Sequence, residues 1–348
     1  MIPGDSSRTE RGLLVIALVF IIIIAAKMTS YIVSLVLMAI ILTMLALPAV
    51  TWIKSKGFSD LVATLIVTIV ACLVIVAFMV FTALSFNALM SYLPQYQSDL
   101  NHRLSDISGI LTSLGFNGST IPSFNLADIV SLAASGVMNL VEGIMFLFFV
   151  GVTTFFLLLE APHIFSRIEN TLGKDPEPLR KLTQMGGYII DFIVVRTETN
   201  FVHGVLFGGF LGIMGVQGAL FWGALTFLLG YIPYFGLIIA AIPAIFLAWL
   251  QFGIPGAVAV IAAVCVLNLI VENPVYSYLA ARKFDMPALI VIVSVIFWGW
   301  LLGIVGLFFA VPFTLILLLI FESSSELRWI NAMMGVSHLF EETGLKKT

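Results

Sequence analysis

The sequence predicts an all-α, polytopic membrane protein with about seven to eight transmembrane segments, some of them broken or re-entrant in the C-terminal half. Three observations carry that prediction. Residues of the AVILMFWYC set make up 61% of the 348 and charged residues 10%, whereas a soluble domain carries about 25% charged residues. Mean hydropathy is +1.13. The apolar residues also fall into runs near the ~20 residues that a bilayer-crossing helix needs. The same composition excludes a water-soluble globular protein and a disordered chain. With 16 Lys+Arg against 19 Asp+Glu there is no basic footprint for nucleic acid.

The first apolar run, residues 12–26, lies behind Arg8 and Arg11 and ends at Lys27. Its basic head and short apolar stretch resemble a secretory signal. A second run, 31–53, follows directly with no A-x-A site between, so the two are read as an uncleaved helical hairpin. Runs at 61–84, 138–159 and 201–216 come next. The run 219–250 is broken by Tyr231-Ile232-Pro233-Tyr234-Phe235-Gly236 and by Pro243; 255–271 follows it. The last run, 287–321, is too long for one helix and is punctuated by Gly299, Gly303, Gly306 and Pro312. Proline removes a backbone donor and glycine weakens a helix interior. Both long segments are therefore read as helical hairpins or paired half-helices, which at membrane depth must lie against protein or a water-filled cavity.

Two connecting regions carry structure of their own. Leu93, Tyr96, Leu100, Leu104, Ile107, Leu111 and Leu114 recur in steps of three and four, one face of an amphipathic helix. That helix is either an outward subdomain that packs between subunits or covers a pathway, or an interfacial helix lying on the membrane. Residues 115–125 read as turn chemistry, and Asn117-Gly118-Ser119 is a three-residue glycosylation match with no weight of its own. Between the fourth and fifth runs, Glu160-Ala161-Pro162 is expected to end a helix and Lys174-Asp175-Pro176-Glu177-Pro178 to turn sharply. Leu179, Leu182, Gly186, Ile189 and Ile193 then rise at helical spacing toward the membrane.

Positive charge orients these segments. Arg8, Arg11, Lys54, Lys56, Arg167, Lys174, Arg180, Lys181, Arg196, Arg282, Lys283, Arg328, Lys346 and Lys347 fall at alternate connections, whereas residues 84–137 hold only Arg103 beside Asp99, Asp106 and Asp128. Both termini come out cytoplasmic if each broken segment returns to its starting side. The expected division is 1–83 for N-terminal transmembrane helices, 84–137 for the outward amphipathic region and 138–160 for a transmembrane helix. Then follow 161–200 as a cytoplasmic helical region, 201–321 as a transport region and 322–348 as a cytoplasmic tail.

Cys72 and Cys265 lie in apolar runs, and none of His102, His163, His203 and His338 belongs to an HExxH. There is no GxSxG, Walker A or GxGxxG pattern either, so no enzyme, cofactor or metal is expected. Function is sought instead among intramembrane polar groups, which are costly there. Asn268, Glu272 and Tyr276 are spaced i, i+4, i+8 on one helix face, with Asn273 beside them and Pro274 interrupting the helix. A carboxylate beside amide side chains and a freed carbonyl at Ile270 suits a cation, a proton relay or a hydroxyl-rich solute. Otherwise Glu272 pairs with Arg282 or Lys283 at the headgroups. Arg196 and Glu198 read as a charged pair at a membrane boundary or as pathway residues, with His203 and Gln217 as weaker candidates. Trp298 lines a pathway or belongs to an interfacial belt. Tyr231, Pro233 and Gly236, with Pro274, Gly299 and Gly303, are the gate and hinge candidates. Phe221-Trp222-Gly223 recurs as Phe297-Trp298-Gly299, a short hint of an internal repeat.

Gly230-Tyr231-Ile232-Pro233-Tyr234-Phe235-Gly236, then Ala240-Ala241-Ile242-Pro243, resembles the YIPxxG…AAIP signature of the autoinducer-2 exporter family. Ile296-Phe297-Trp298-Gly299-Trp300-Leu301-Leu302-Gly303, with Gly306 and Val311-Pro312, is similar to that family's FWGWLLGxxGxxLAVP block. The order and spacing of the segments fit over essentially the whole chain. The resemblance implies a polytopic bacterial inner-membrane protein that moves small solutes without ATP. Members are associated with export of autoinducer-2, and others look like sodium or potassium/proton antiporters. It also favours a homo-oligomer, with a pentamer compatible, and elevator-like movement of the C-terminal part. One difference stands out. The family's acid–proline pair before the last segment falls on Tyr276-Ser277, and its turn glycine on Ala281; here Glu272 and Pro274 lie about one turn earlier. The expected partners are thus a small polar solute or a monovalent cation, the lipid bilayer and further copies of the chain. A non-transporting scaffold is the third reading.

Overall fold

The computed structural model describes residues 5–113, 140–172, 176–281, 286–324, 326–336 and 339. Among them there are twelve helices and no strand: α1 (Asp5–Met28), α2 (Ser30–Lys54), α3 (Asp60–Met90), α4 (Leu93–Ser113), α5 (Leu140–Leu172), α6 (Pro176–Met214), α7 (Ala219–Leu229), α8 (Gly236–Ala281), α9 (Ala288–Leu302), α10 (Ile304–Phe308), α11 (Ala310–Ser323) and α12 (Arg328–Met333). Four helices are long and apolar enough to cross a membrane: α2, α3, Glu142–Ile164 of α5 and Gly236–Pro274 of α8. Leu13–Met28, α7, α9 and α11 are shorter apolar helices. The exposed residues of α1 and α3 are overwhelmingly Leu, Ile, Val and Phe, an outer surface suited to lipid rather than water. The chain is thus a polytopic helical membrane protein. Asn117-Gly118-Ser119, Arg282, Lys283, Lys346 and Lys347 lie outside the described residues.

Local chemistry sets the boundaries. Ser59 Oγ accepts from the Val62 N–H at 3.4 Å, and Asp60 in the first turn of α3 pairs with Lys54 at 2.9 Å, both favourable where a helix begins. At the end of α6 the Val216 N–H donates to the Leu211 carbonyl at 2.9 Å and the Gly215 N–H to that of Gly212 at 3.1 Å. This pair of bonds forms a Schellman cap, with Gly215 at φ +77°.

Two expected breaks are corrected. Pro162 does not end a helix but lies inside α5, and Pro243 lies inside α8. Proline forfeits one helical hydrogen bond, whereas a full break in apolar surroundings would expose several backbone groups at once. Breaks do fall in the expected loop at 230–235 and at the expected Gly303, and a further one falls at Gly253. Segments read as separate at 161–200 and 201–216 belong largely to the single 39-residue α6.

The chain forms two compact units, residues 1–64, 152–189 and 286–348, and residues 65–151 and 190–285. The region 201–321, expected to act as one, divides between them. In the first unit α1 and α2 pack on α9, α11 packs on α9, and α12 packs on α11. Lys27 donates to the Trp300 carbonyl, with its ammonium 5.6 Å from the indole centroid. After α11 the chain folds back: Asn331, wholly buried, donates to the Leu318 carbonyl and to Glu322 Oε2, each at 3.1 Å, and Arg328 pairs with Glu322 Oε1 at 2.9 Å.

In the second unit Phe207, Leu211, Trp222, Ala244, Leu247, Leu250 and Val260 form the core, joined by Leu89, Tyr96 and Leu100. The buried face of amphipathic α4 therefore covers its own unit, along α8. Burial raises the Tyr96 phenol far above its ordinary range, only partly offset by its bond from Gln251 Nε2 at 3.3 Å. Two turns further along α4, Arg103 Nη2 donates to the Leu250 carbonyl at 3.5 Å, beside the kink at Gly253. Gly253 has φ +71° and ψ −160°, a region essentially closed to residues with a Cβ. Gly253→Ala is expected to cost roughly 1–3 kcal/mol, read as a lowered unfolding midpoint of the purified protein.

Candidate functional site

The polar stretch Arg196-Thr197-Glu198-Thr199-Asn200 lies midway along α6, and His203 follows. Arg196, Asn200 and His203 are spaced i, i+4, i+7, so the helix puts them on one face, and all three are buried at 5%, 1% and 3% exposure. The hydroxyls of Thr197 and Thr199 bond back to the carbonyls of Ile193 and Val195 at 2.7 and 2.6 Å. That satisfies them within the helix.

The charge of Arg196 is met from α8. Its Nη1 donates to both carboxylate oxygens of Glu272, at 3.0 and 3.1 Å, and its side chain is 6% exposed against 19% for Glu272. The guanidinium also lies 6.0 Å from the Phe192 ring centroid. Glu198, the other charged residue expected at this boundary, is exposed, since residues two apart point to different sides of a helix. A charge pair so placed forfeits hydration and is retained in a membrane segment only against a close partner.

The loop between α7 and α8 abuts this face. Tyr231 Oη and Thr197 Oγ1 share a hydrogen bond of 2.7 Å. A Cβ on Gly230 would stand 2.4 Å from Asn200 Oδ1, so the amide rests directly on the loop backbone. Tyr234 holds φ +65°, uncommon without a glycine, and Pro233 is buried. At Gly236 a Cβ would lie 1.7 Å from the Leu229 carbonyl oxygen; glycine is required there by contact.

The remaining candidates fall elsewhere. Asn268, Asn273 and Pro274 are exposed on α8, whose helix runs through Pro274. Tyr276 lies on the same helix, its side chain outside those described. Gln217 donates its backbone N–H to Gln251 Oε1 at 3.4 Å. In the other unit Trp298 Nε1 donates to Thr314 Oγ1 at 2.9 Å and meets Phe313 edge-on. Gly299 lies within α9 facing Leu307, and Gly303, at φ +66° and ψ −140°, ends that helix. Sequence reasoning gave Asn200 no role of its own. Its spacing from Arg196 and His203 was the available signal.

Residues 13–326 match the family described as AI-2E family transporter. A Haemophilus influenzae protein provisionally named as a transport protein is 29% identical over 338 residues, covering 94% of this chain and 96% of its own. The Escherichia coli K12 AI-2 transport protein TqsA is 27% identical over 317 residues, 90% of this chain and 91% of TqsA. YhhT of the same strain, also provisionally named for transport, is 27% identical over 305 residues, 87% of each chain.

Proposed function

The chain belongs to the AI-2E transporter family, and from that premise we propose that it exports a small polar metabolite or signal across a bacterial inner membrane without ATP. Autoinducer-2, for which the relative TqsA is named, is the first solute to test. Both termini are cytoplasmic in this reading, and the working form is a homo-oligomer. One observation favours an organic solute over a bare cation. Both oxygens of Glu272 are engaged by Arg196, so the pair is neutral as a whole, and a sodium or potassium ion would have to displace a guanidinium to reach the carboxylate.

Everted membrane vesicles test the reading. They should accumulate added autoinducer-2, and sodium, lithium or potassium added to energised vesicles should leave the proton gradient intact. A gradient that collapses with cation, and no longer does so in Glu272→Gln, would replace solute export with antiport. Neither activity in vesicles holding folded protein would leave the scaffold reading.

A further inference from the structure

We propose that the buried face of α6 carrying Arg196, Asn200 and His203 is a recognition site for a small uncharged solute rich in oxygen acceptors, a hydroxyl or carbonyl compound rather than an ion. The site deepens the transport reading and rests on it for its purpose, but its chemistry stands on separate observations. Arg196 Nε, Asn200 Nδ2 and His203 Nε2 are buried and have no hydrogen-bond partner among the described residues. A buried polar atom left unpaired has given up its hydration with no bond in return. Three within two turns, on residues at most 5% exposed, are a poor choice for packing and a good one for binding.

The atoms define the ligand. Arg196 Nε and Asn200 Nδ2 are N–H donors, and His203 Nε2 is a donor or an acceptor according to tautomer. Two fixed donors and one adaptable group match carbonyl and hydroxyl oxygens. From Arg196 to His203 the helix rises roughly 10 Å, the length of a small metabolite. Charge narrows the class further. Glu272 already neutralises Arg196, so an anion would bring an uncompensated charge beside a carboxylate. A cation would face N–H donors. Either would be buried unpaired, which is far costlier than burying a hydrogen-bonded neutral group.

The α7–α8 loop is built to respond to this face. The Asn200 amide fills the space where a Gly230 side chain would begin, and Tyr231 is bonded to Thr197. A solute drawing on Asn200 therefore acts on the backbone of the loop without any intervening side chain.

Cysteine labelling tests the site without knowledge of the natural solute. In a full-length Cys72→Ala/Cys265→Ala background, Asn200→Cys and His203→Cys are each reacted in membranes with hydroxyethyl methanethiosulfonate, its anionic sulfonatoethyl analogue and its cationic trimethylammonioethyl analogue. Ser105→Cys, exposed on α4, calibrates the intrinsic rates. The neutral reagent is expected to react at least ten-fold faster than either charged one at 200 and 203, after normalisation to 105. Equal rates, or a faster charged reagent, overturn the uncharged class. No reaction at either position in protein labelled at 105 overturns the site, leaving a closed structural layer. Two cysteine positions guard against one failing to fold. Autoinducer-2 uptake by unsubstituted protein is measured alongside. Uptake without labelling removes this site and keeps the transport reading; neutral-selective labelling without uptake does the reverse.

Discussion

Arg196→Ala is expected to abolish transport and to destabilise the protein by roughly 3–5 kcal/mol, the usual consequence of removing one partner of a buried ion pair. The cause is what remains. Glu272, 19% exposed at its side chain, would keep a carboxylate that both lost donor bonds had served, in a segment with no bulk water to replace them. Glu272→Gln is milder for the fold, because an amide can still accept from the guanidinium through its carbonyl. It should nevertheless lower flux to background if the pair opens during the cycle. The double variant Arg196→Ala/Glu272→Gln should regain most of the stability lost in Arg196→Ala, since no unpaired charge is left, while transport stays absent. Unfolding midpoints of the purified variants and uptake by everted vesicles read the two effects separately. Wild-type midpoint and wild-type uptake in Arg196→Ala would remove the pair from both fold and mechanism.

That pairing also marks where sequence reading reached its limit. Hydropathy is a local property, so the apolar runs 31–53 and 61–84 matched α2 and α3 closely, and Gly and Pro at 230–236 and Gly303 announced breaks because their effects are local too. Pro162 and Pro243 misled for the same reason: whether a proline ends a helix depends on whether the surroundings supply partners for the freed groups. Arg196 and Glu272 are 76 residues apart, and nothing local joins them. Glu198 drew attention only by lying nearby in sequence. The stripe of Arg196, Asn200 and His203 was legible as i, i+4, i+7 spacing, yet its burial was not, because burial depends on the elements packed against α6. On α8 the converse held: Asn268 and Glu272 share a spacing, but Asn268 is exposed and Glu272 meets Arg196.

Gly236→Ala and Gly306→Ala should each be among the most damaging single-methyl additions in the chain. A Cβ at 236 would stand 1.7 Å from the Leu229 carbonyl oxygen, and one at 306 would stand 1.8 Å from that of Trp298. Both obstacles are backbone, so no rotamer change relieves them and the helix–helix turn itself must open. The cost should exceed the roughly 1–3 kcal/mol typical of overpacking a side-chain core. Gly209→Ala is the matched control, because nothing lies within 4 Å of its added Cβ and a glycine in a helix interior is worse than alanine by roughly 0.5–1 kcal/mol. Its midpoint should hold or rise while those of the other two fall sharply. The two sensitive glycines belong to the two longest sequence blocks, one in each compact unit. Their spacing thus has a steric origin, since each block folds a short helix back until backbone touches backbone. In the second unit the same loop carries Gly230 and Tyr231 against the α6 face. Gly236→Ala should therefore also change labelling at Asn200→Cys, whereas Gly306→Ala should lower stability and leave the charge preference of that labelling unchanged. Unaltered midpoints in both variants would mean that the turns yield easily, and the loop would then be too compliant to report on what the α6 face holds.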